Sequence, residues 1–201
     1  MLKIYGTPKS RAFRCYWTLE EIKERIDLPY ETISVQLGLE NPAFDKNYLS
    51  IHPLGKIPAL VDTEKNFTLF ESHAICVYLA NLDPEKKLIG GTKPNIQDFA
   101  KITQWISFTT TELEQPLWLQ MKRGESPKNR ADFERCMNVL SNHLKDKEYL
   151  VNNEFSLADI FVVHTMFWAK MSDFNYLDDV TKAYYTRIRN RNSVLKLMGK
   201  Q

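Results

Sequence analysis

Ile51-His52-Pro53-Leu54-Gly55-Lys56-Ile57-Pro58-Ala59-Leu60-Val61-Asp62, followed by Phe67 to Ile75, decides how the rest of the chain is read. The order is a turn, a proline, a short strand, a second strand and the start of a helix. Gly55 supplies the positive φ that a tight turn asks for. Pro58 has no N–H, so it belongs at a strand start or on an edge rather than in mid-ladder. Leu69-Phe70 is apolar, and Glu71-Ser72 opens an amphipathic pattern through Ile75, Val77, Tyr78 and Leu79. Ser72 is a good N-cap, and a helix N-terminus is a ready anion site. The stretch thus offers a free strand edge and a capped helix end close together, a pair able to hold a small peptide-like acid. A turn followed by a plain cap accounts for the same residues without a ligand.

Towards the N-terminus, Leu2, Ile4 and Tyr5 make a short strand that Gly6-Thr7-Pro8 ends. Ser10 precedes a helical pattern of Phe13, Trp17, Leu19 and Ile22. Tyr30 to Val35 alternates as a strand, and Asn41 to Leu49 reads as a helix with Pro42 in its first turn. With the strands 59–62 and 67–70 and the helix 72–82, the order is β-α-β-α-β-β-α. Towards the C-terminus, 83–94 is polar, with Pro84, Gly90, Gly91 and Pro94, and is the expected linker between a domain 1–82 and a domain 95–201. Beyond it only helical patterns follow. Asn95 to Leu113 is the first, with Pro116 expected to bend or end it. Ser126-Pro127 starts the second as N-cap and N1. Ser156-Leu157-Ala158-Asp159 is a capping box with aspartate at N3, and Phe155 and Ile160 are placed as its hydrophobic staple. The helix behind it, Ile160 to Met171, is apolar nearly all round and is expected at the centre of the bundle. Tyr184 to Ile188 and Ser193 to Met198 finish the chain as short helices.

The totals narrow the classes. The chain has 201 residues and a net charge of +2 spread along its length, which is no electrostatic footprint for nucleic acid. Cys15, Cys76 and Cys136 are scattered and odd in number, which speaks against a disulfide framework and for a reducing compartment. No run approaches membrane-span length and Met1 to Tyr5 has no signal-peptide apolar region, so a cytoplasmic location is expected. The four histidines make no metal set.

Taken in order, Pro53 to Leu60, Glu71-Ser72-His73-Ala74-Ile75 and the cap Ser156 to Asp159 resemble the cytosolic glutathione transferases. Gly6-Thr7-Pro8-Lys9-Ser10, with Arg14 one turn on, resembles the serine-type members: theta, phi and many bacterial classes. The resemblance implies a thioredoxin-like α/β domain followed by an all-α helical bundle. It implies a cis bond before Pro58 that frees the N–H and C=O of Ile57 for the cysteinyl backbone of glutathione. Glu71 and Ser72 then match the residues that hold the γ-glutamyl end, and Lys56 a position that contacts the ligand. A homodimer is also implied, with no dimer face legible in the residues.

The chemistry implied is attack of the glutathione thiolate on a small apolar electrophile. A thiol near pKa 8.5 is only a few per cent ionised at neutral pH. Lowering it to about 6.5 requires roughly 2.7 kcal/mol, within reach of one charge-assisted hydrogen bond helped by a helix N-terminus. Ser10 and Tyr5 compete for that donor role. Pro8 and Arg14 accompany Ser10, and a core aromatic accounts for Tyr5, so Ser10 is favoured. Cys15, inside the helix, reads as a small buried hydrophobe, and His52 and His73 as solvated surface. Phe13, Trp105 and Phe108 are candidates for the electrophile pocket, with Trp118 and Met121 behind them, although aromatics at helical spacing also build cores. Gly38 to Asn47 lacks a clear pair for the glycyl carboxylate, leaving Lys46 as a substitute. Arg191-Asn192-Ser193 carries Asn where relatives have proline. A glutathione-dependent peroxidase, dehalogenase or isomerase, and a non-enzymatic binding protein on the same fold, remain as alternatives.

Overall fold

A computed structural model describes residues 1–35, 46–92, 95–124, 126–172, 174 and 176–199, with Lys46 described by its backbone alone. The expected helix over 41–49 falls partly outside these residues, as do most of the 38–47 segment and the Lys46 side chain. The chain divides into two compact units, Met1–Pro84 and Glu85–Gln201.

The first unit is built on a four-stranded sheet in the order β2-β1-β3-β4. β1 (Leu2–Tyr5) runs parallel to β2 (Tyr30–Ile33) and antiparallel to β3 (Ala59–Asp62), which pairs antiparallel with β4 (Phe67–Phe70). β1 alternates strictly: Leu2 and Ile4 are buried while Lys3 and Tyr5 are half-buried, so the period-2 pattern sets which face meets the core. α1 (Ala12–Lys23) and α3 (Ser72–Leu82) pack against each other, and α2 (Lys46–Ile51) places Tyr48 against Tyr5, ring centroids 5.5 Å apart. Three pairs show that α1 and α3 run parallel. Arg11 faces Glu71 at one end, Cys15 is hydrogen-bonded to Cys76 one turn in, and Arg25 closes the far end on buried Asp83 with Nη2 to Oδ2 at 2.5 Å. Both helix N-termini therefore open on the same end of the unit.

The second unit is helical. Among its described residues strand pairing is confined to an isolated bridge, Val151 to Glu154. Leu88 and Ile89, in a 3-10 turn over Lys87–Ile89, are buried, so part of the polar linker stretch packs into this unit. α4 (Ile96–Phe108) is capped by the Asn95 side chain, which accepts from the Gln97 N–H at 3.0 Å. Pro116 does not end the helix. A π-helical turn, Thr109–Leu113, intervenes, and α5 (Glu114–Arg123) carries Pro116 in its first turn. The proline ring crowds the carbonyl four residues back, Glu112, and that carbonyl lies in the wider turn, where the Glu114 N–H reaches Thr109 O. Thr109 and Thr111 hydroxyls bond back to Trp105 O and Ser107 O, a pattern that bends helices.

α6 (Pro127–Leu144) begins at Ser126, whose hydroxyl makes no capping bond. α7 (Leu157–Met171) is buried from Leu157 through Met166, and α4, α5 and α8 (Asp179–Arg189) pack on it. Its N-terminus is held by Asp159, fully buried. One carboxylate oxygen accepts from Ser156 N–H at 2.9 Å and Ser156 Oγ at 3.2 Å; the other accepts from Leu150 N–H at 3.1 Å and Tyr184 Oη at 2.9 Å. α9 (Asn192–Leu197) ends the described chain. No described helix is long and apolar enough to cross a membrane.

Candidate active site

The candidate residues of the first unit converge at the C-terminal end of β1. Gly6 follows Tyr5 with φ +144°, and a Cβ there would stand 2.7 Å from Ala12 Cβ and 3.4 Å from Ile57 Cβ. Only a residue without a side chain lets the start of α1 and the 56–58 loop close on the strand end together. Gly6→Ala is expected to cost about 3 kcal/mol from overpacking and left-handed strain, read from a urea denaturation midpoint. A loss below about 1 kcal/mol would mean that the two walls relax freely.

The Ile57–Pro58 peptide is cis. Pro58 is buried and immediately precedes β3, so its missing N–H costs no ladder bond. Ile57 lies outside the ladders, with no backbone hydrogen-bond partner among the described residues. The loop is tied down on both sides. Tyr48 Oη donates to Lys56 O at 2.6 Å, while Lys56 itself is exposed. Gly55, at φ 59°, turns the chain, and its N–H bonds to His52 O at 2.8 Å. His52 is not on the solvated surface: it is 3% exposed, its Nδ1 accepts from the Leu54 N–H at 3.2 Å and its ring lies 5.0 Å from Phe70. Burial holds its pKa below the ordinary histidine value, and an accepting Nδ1 fits a neutral ring. Sequence spacing carried no signal for this, because the aromatic wall comes from β4 and α2.

At the β4–α3 junction the cap is one residue earlier than expected. Glu71 is the N-cap, at φ 71° and ψ 119°, and its carbonyl accepts the Ile75 N–H at 3.0 Å. Ser72 is therefore N1, and it is buried. Its N–H belongs to the first turn, where no intrahelical acceptor exists, and its hydroxyl is not needed as an N-cap acceptor. A positive φ at glutamate is uncommon outside functional or tightly constrained sites. Glu71 remains exposed, with Arg11 facing it.

Ser10 sits at the start of α1. Its Oγ donates to Thr7 O at 2.8 Å and accepts from the Ala12 N–H at 3.1 Å. The hydroxyl is thus a working cap, and its one proton is held by a backbone carbonyl. Tyr5 is half-buried against Tyr48. Arg14 is fully buried, and burial lowers its pKa to about 9, with Arg11 adding to the effect. Cys15 is fully buried and hydrogen-bonded to Cys76; burial pushes its pKa up, so it stays a thiol. His73 is half-buried, and burial lowers its pKa.

The pocket candidates fall in different units. Phe13 is buried with its ring edge-on to Trp17, centroids 5.9 Å apart. Trp105 is buried against His143 of α6, centroids 4.7 Å apart, and Phe108 is half-buried with its ring edge-on to Trp105. Trp118 and Met121 are exposed on α5, with Lys122 Nζ 4.9 Å above the Trp118 ring. Among the described residues no three His, Cys, Asp or Glu side chains converge on a metal-sized site.

A four-stranded mixed sheet with a cis-proline loop beside two parallel helix N-termini, followed by a helical unit, defines a thioredoxin-like protein of the two-unit kind. The family model for the glutathione S-transferase N-terminal domain matches residues 1–81 and that for the C-terminal domain residues 99–192. The chain belongs to the glutathione S-transferase family. It is 31% identical over 177 residues to elongation factor 1-gamma of Danio rerio, across 82% of this chain and 37% of that protein. It is 30% identical over 155 residues to glutathione S-transferase 1 of Schizosaccharomyces pombe, across 72% of this chain and 66% of that protein. The crystal structure of poplar glutathione transferase F1 superposes with a TM-score of 0.81 at 28% identity, covering 98% of this chain and 96% of that one. The chain thus spans well under half the length of the elongation factor 1-gamma relative and about two-thirds of the yeast one.

Proposed function

We propose that the first unit binds glutathione and activates its thiol for attack on small apolar electrophiles. The observation that carries this reading is the junction of α3: an exposed carboxylate at Glu71, a first-turn N–H at Ser72 and a second helix N-terminus alongside. These groups are complementary to an amino acid end, with Glu71 facing the ammonium and Ser72 the carboxylate. The free backbone edge of Ile57 beside cis-Pro58 suits an extended peptide, and Lys56 is exposed at the same loop. A tripeptide laid along this edge ends its γ-glutamyl group on α3 and brings its sulfur towards α1, where Ser10 stands. Phe13, Trp105 and Phe108 are the residues proposed to meet the electrophile. The reading includes a homodimer in the cytoplasm and needs neither metal nor nucleic acid.

Titration calorimetry with glutathione, beside a conjugation assay with an aryl halide, tests it. Ser72→Ala removes the hydroxyl and leaves the N–H and the helix dipole. Glutathione affinity is expected to fall about tenfold to a hundredfold, the range for a hydrogen bond to a charged group. Unchanged affinity would place the carboxylate elsewhere. A panel of hydroperoxides and haloalkanoates separates conjugation from peroxidase or dehalogenase activity.

A second reading is a non-enzymatic glutathione-transferase-like binding module. Two observations favour it: the Ser10 proton is already engaged by Thr7 O, and elongation factor 1-gamma proteins stand among the relatives. Tight glutathione binding with no turnover on any electrophile would decide for it.

A further inference from the structure

The second unit contains a cleft that shares no residue with the proposed glutathione site. It lies between the π turn with α5 on one side and the first half of α6 on the other, and encloses about 120 Å³. That is about the liquid volume of four waters. On the α6 wall, Lys128 Nζ and Arg135 Nη2 both bond to Asp132, at 2.5 and 3.2 Å. Two cations sharing one carboxylate leave this wall with a net charge of +1. Across the cleft stands Glu112, which makes no ion pair or hydrogen bond among the described residues. The floor holds Asn129, only 8% exposed, whose side-chain amide also has no hydrogen-bond partner among the described residues. Buried amides are ordinarily hydrogen-bonded, so the partner of this one has to come from inside the cleft. Pro116, Leu119 and Cys136 supply an apolar remainder.

We infer that this cleft is a binding site for a small zwitterion, a free α-amino acid, with its ammonium on Glu112, its carboxylate on Lys128 and Arg135, and Asn129 bonding between them. The charge pattern selects for both ends at once. A simple anion would be drawn to α6 but would face Glu112 and Asp132; a simple cation would be drawn to Glu112 but would face Lys128 and Arg135. The volume admits a small amino acid and excludes a folded partner or a nucleotide. Proline at 116 and the π turn that accommodates it swing Glu112 to the mouth of the cleft, where a straight helix would carry it further round.

The test uses the full chain and L-alanine as the probe, with acetate and ethylamine as half-molecule controls, followed by amide NMR shifts. Cys136 gives a second readout. It is 5% exposed while Cys15 and Cys76 are at 0%, so slow alkylation by iodoacetamide, located by mass spectrometry, reports on the cleft. Alanine is expected to shift the amides of Glu112, Asn129 and Cys136 with a dissociation constant of about 1 mM, in the range open to so small a ligand. It is expected to slow alkylation of Cys136 in proportion to occupancy, with each half-molecule at least about tenfold weaker. Glu112→Gln, a surface change that leaves the fold intact, is expected to weaken alanine about tenfold. The inference is overturned if alanine at tens of millimolar shifts nothing, if acetate or ethylamine alone binds as well, or if Glu112→Gln binds alanine unchanged.

Discussion

Replacing Ser10 with alanine is expected to cut conjugation turnover at least about tenfold and to raise the pKa of the bound thiol, while Tyr5→Phe changes turnover less than about twofold. The magnitude follows from what the hydroxyl gives up. Its proton rests on Thr7 O, a neutral hydrogen bond worth about 0.5–1.5 kcal/mol net, whereas a bond to a thiolate is worth about 1.5–3. Rotating from one to the other gains about 1–2 kcal/mol, or roughly tenfold. That is short of the roughly 2.7 kcal/mol that two units of thiol pKa require. The N-terminus of α1 adds about 0.3–1 kcal/mol, and Arg11 brings a positive charge to the same end. The acceptor side of Ser10 is not consumed by this rotation, so the cap on Ala12 N–H can persist. Ser10→Ala also removes that cap, at about 1 kcal/mol of stability, so turnover is to be compared at a temperature where both proteins are folded. A pH–rate profile makes the distinction: the acid limb moves to higher pH in Ser10→Ala if the hydroxyl stabilises the thiolate. The reverse pattern, with Tyr5→Phe the damaging change, would move the donor to the tyrosine, whose ring is half-buried against Tyr48.

Asp159→Ala is expected to cost about 4 kcal/mol of folding stability and to lower the thermal midpoint by roughly 8–16 °C, followed by circular dichroism. Four donors converge on this one carboxylate. The hydroxyls of Ser156 and Tyr184 can rotate, but the N–H groups of Leu150 and Ser156 are fixed by the backbone, and each orphaned buried donor costs about 1–3 kcal/mol. Asp159→Asn is also damaging, because its NH2 would point at donors on whichever side it faces. Burial raises the Asp159 pKa to about 6, against the pull of the four donors. A raised carboxyl pKa means that the folded state holds the proton more tightly than the unfolded state. The stability this group contributes is therefore full below about pH 4 and is lost as pH rises through about 6. The native protein should show that slope and the alanine variant should lack it. A stability loss under about 1 kcal/mol, or an unchanged slope, would mean that solvent reaches the cluster.

How far these features were legible depends on the range of the interactions behind them. The strand and helix order of the first unit follows from local patterns: alternation in Leu2 to Tyr5, the turn at Gly55, and the amphipathic run after Ser72. The capping box at Ser156 to Asp159 is a four-residue motif, and its reach-back bond forms as the spacing requires. Sequence pattern alone misplaced the cap of α3 by one residue. The left-handed conformation of Glu71 is imposed by the packing of α3 beside α1 and carries no composition cue. It misread His52 as solvated for the same kind of reason, since Phe70 and Tyr48 cover it from other elements. Pro116 promised a helix end, and three threonines with a π turn kept the helix going.

The sequence by itself determined the elements, their order, the two-part division and the family, because each rests on contacts within a few residues or on motifs read in line. Tertiary structure alone decided that α1 and α3 open at the same end, that Tyr48 and His52 hold the 56–58 loop, and that Glu112 faces Asn129 across a cleft. Those outcomes depend on which distant side chains share a small volume, and nothing in the spacing of residues along a chain encodes that distance.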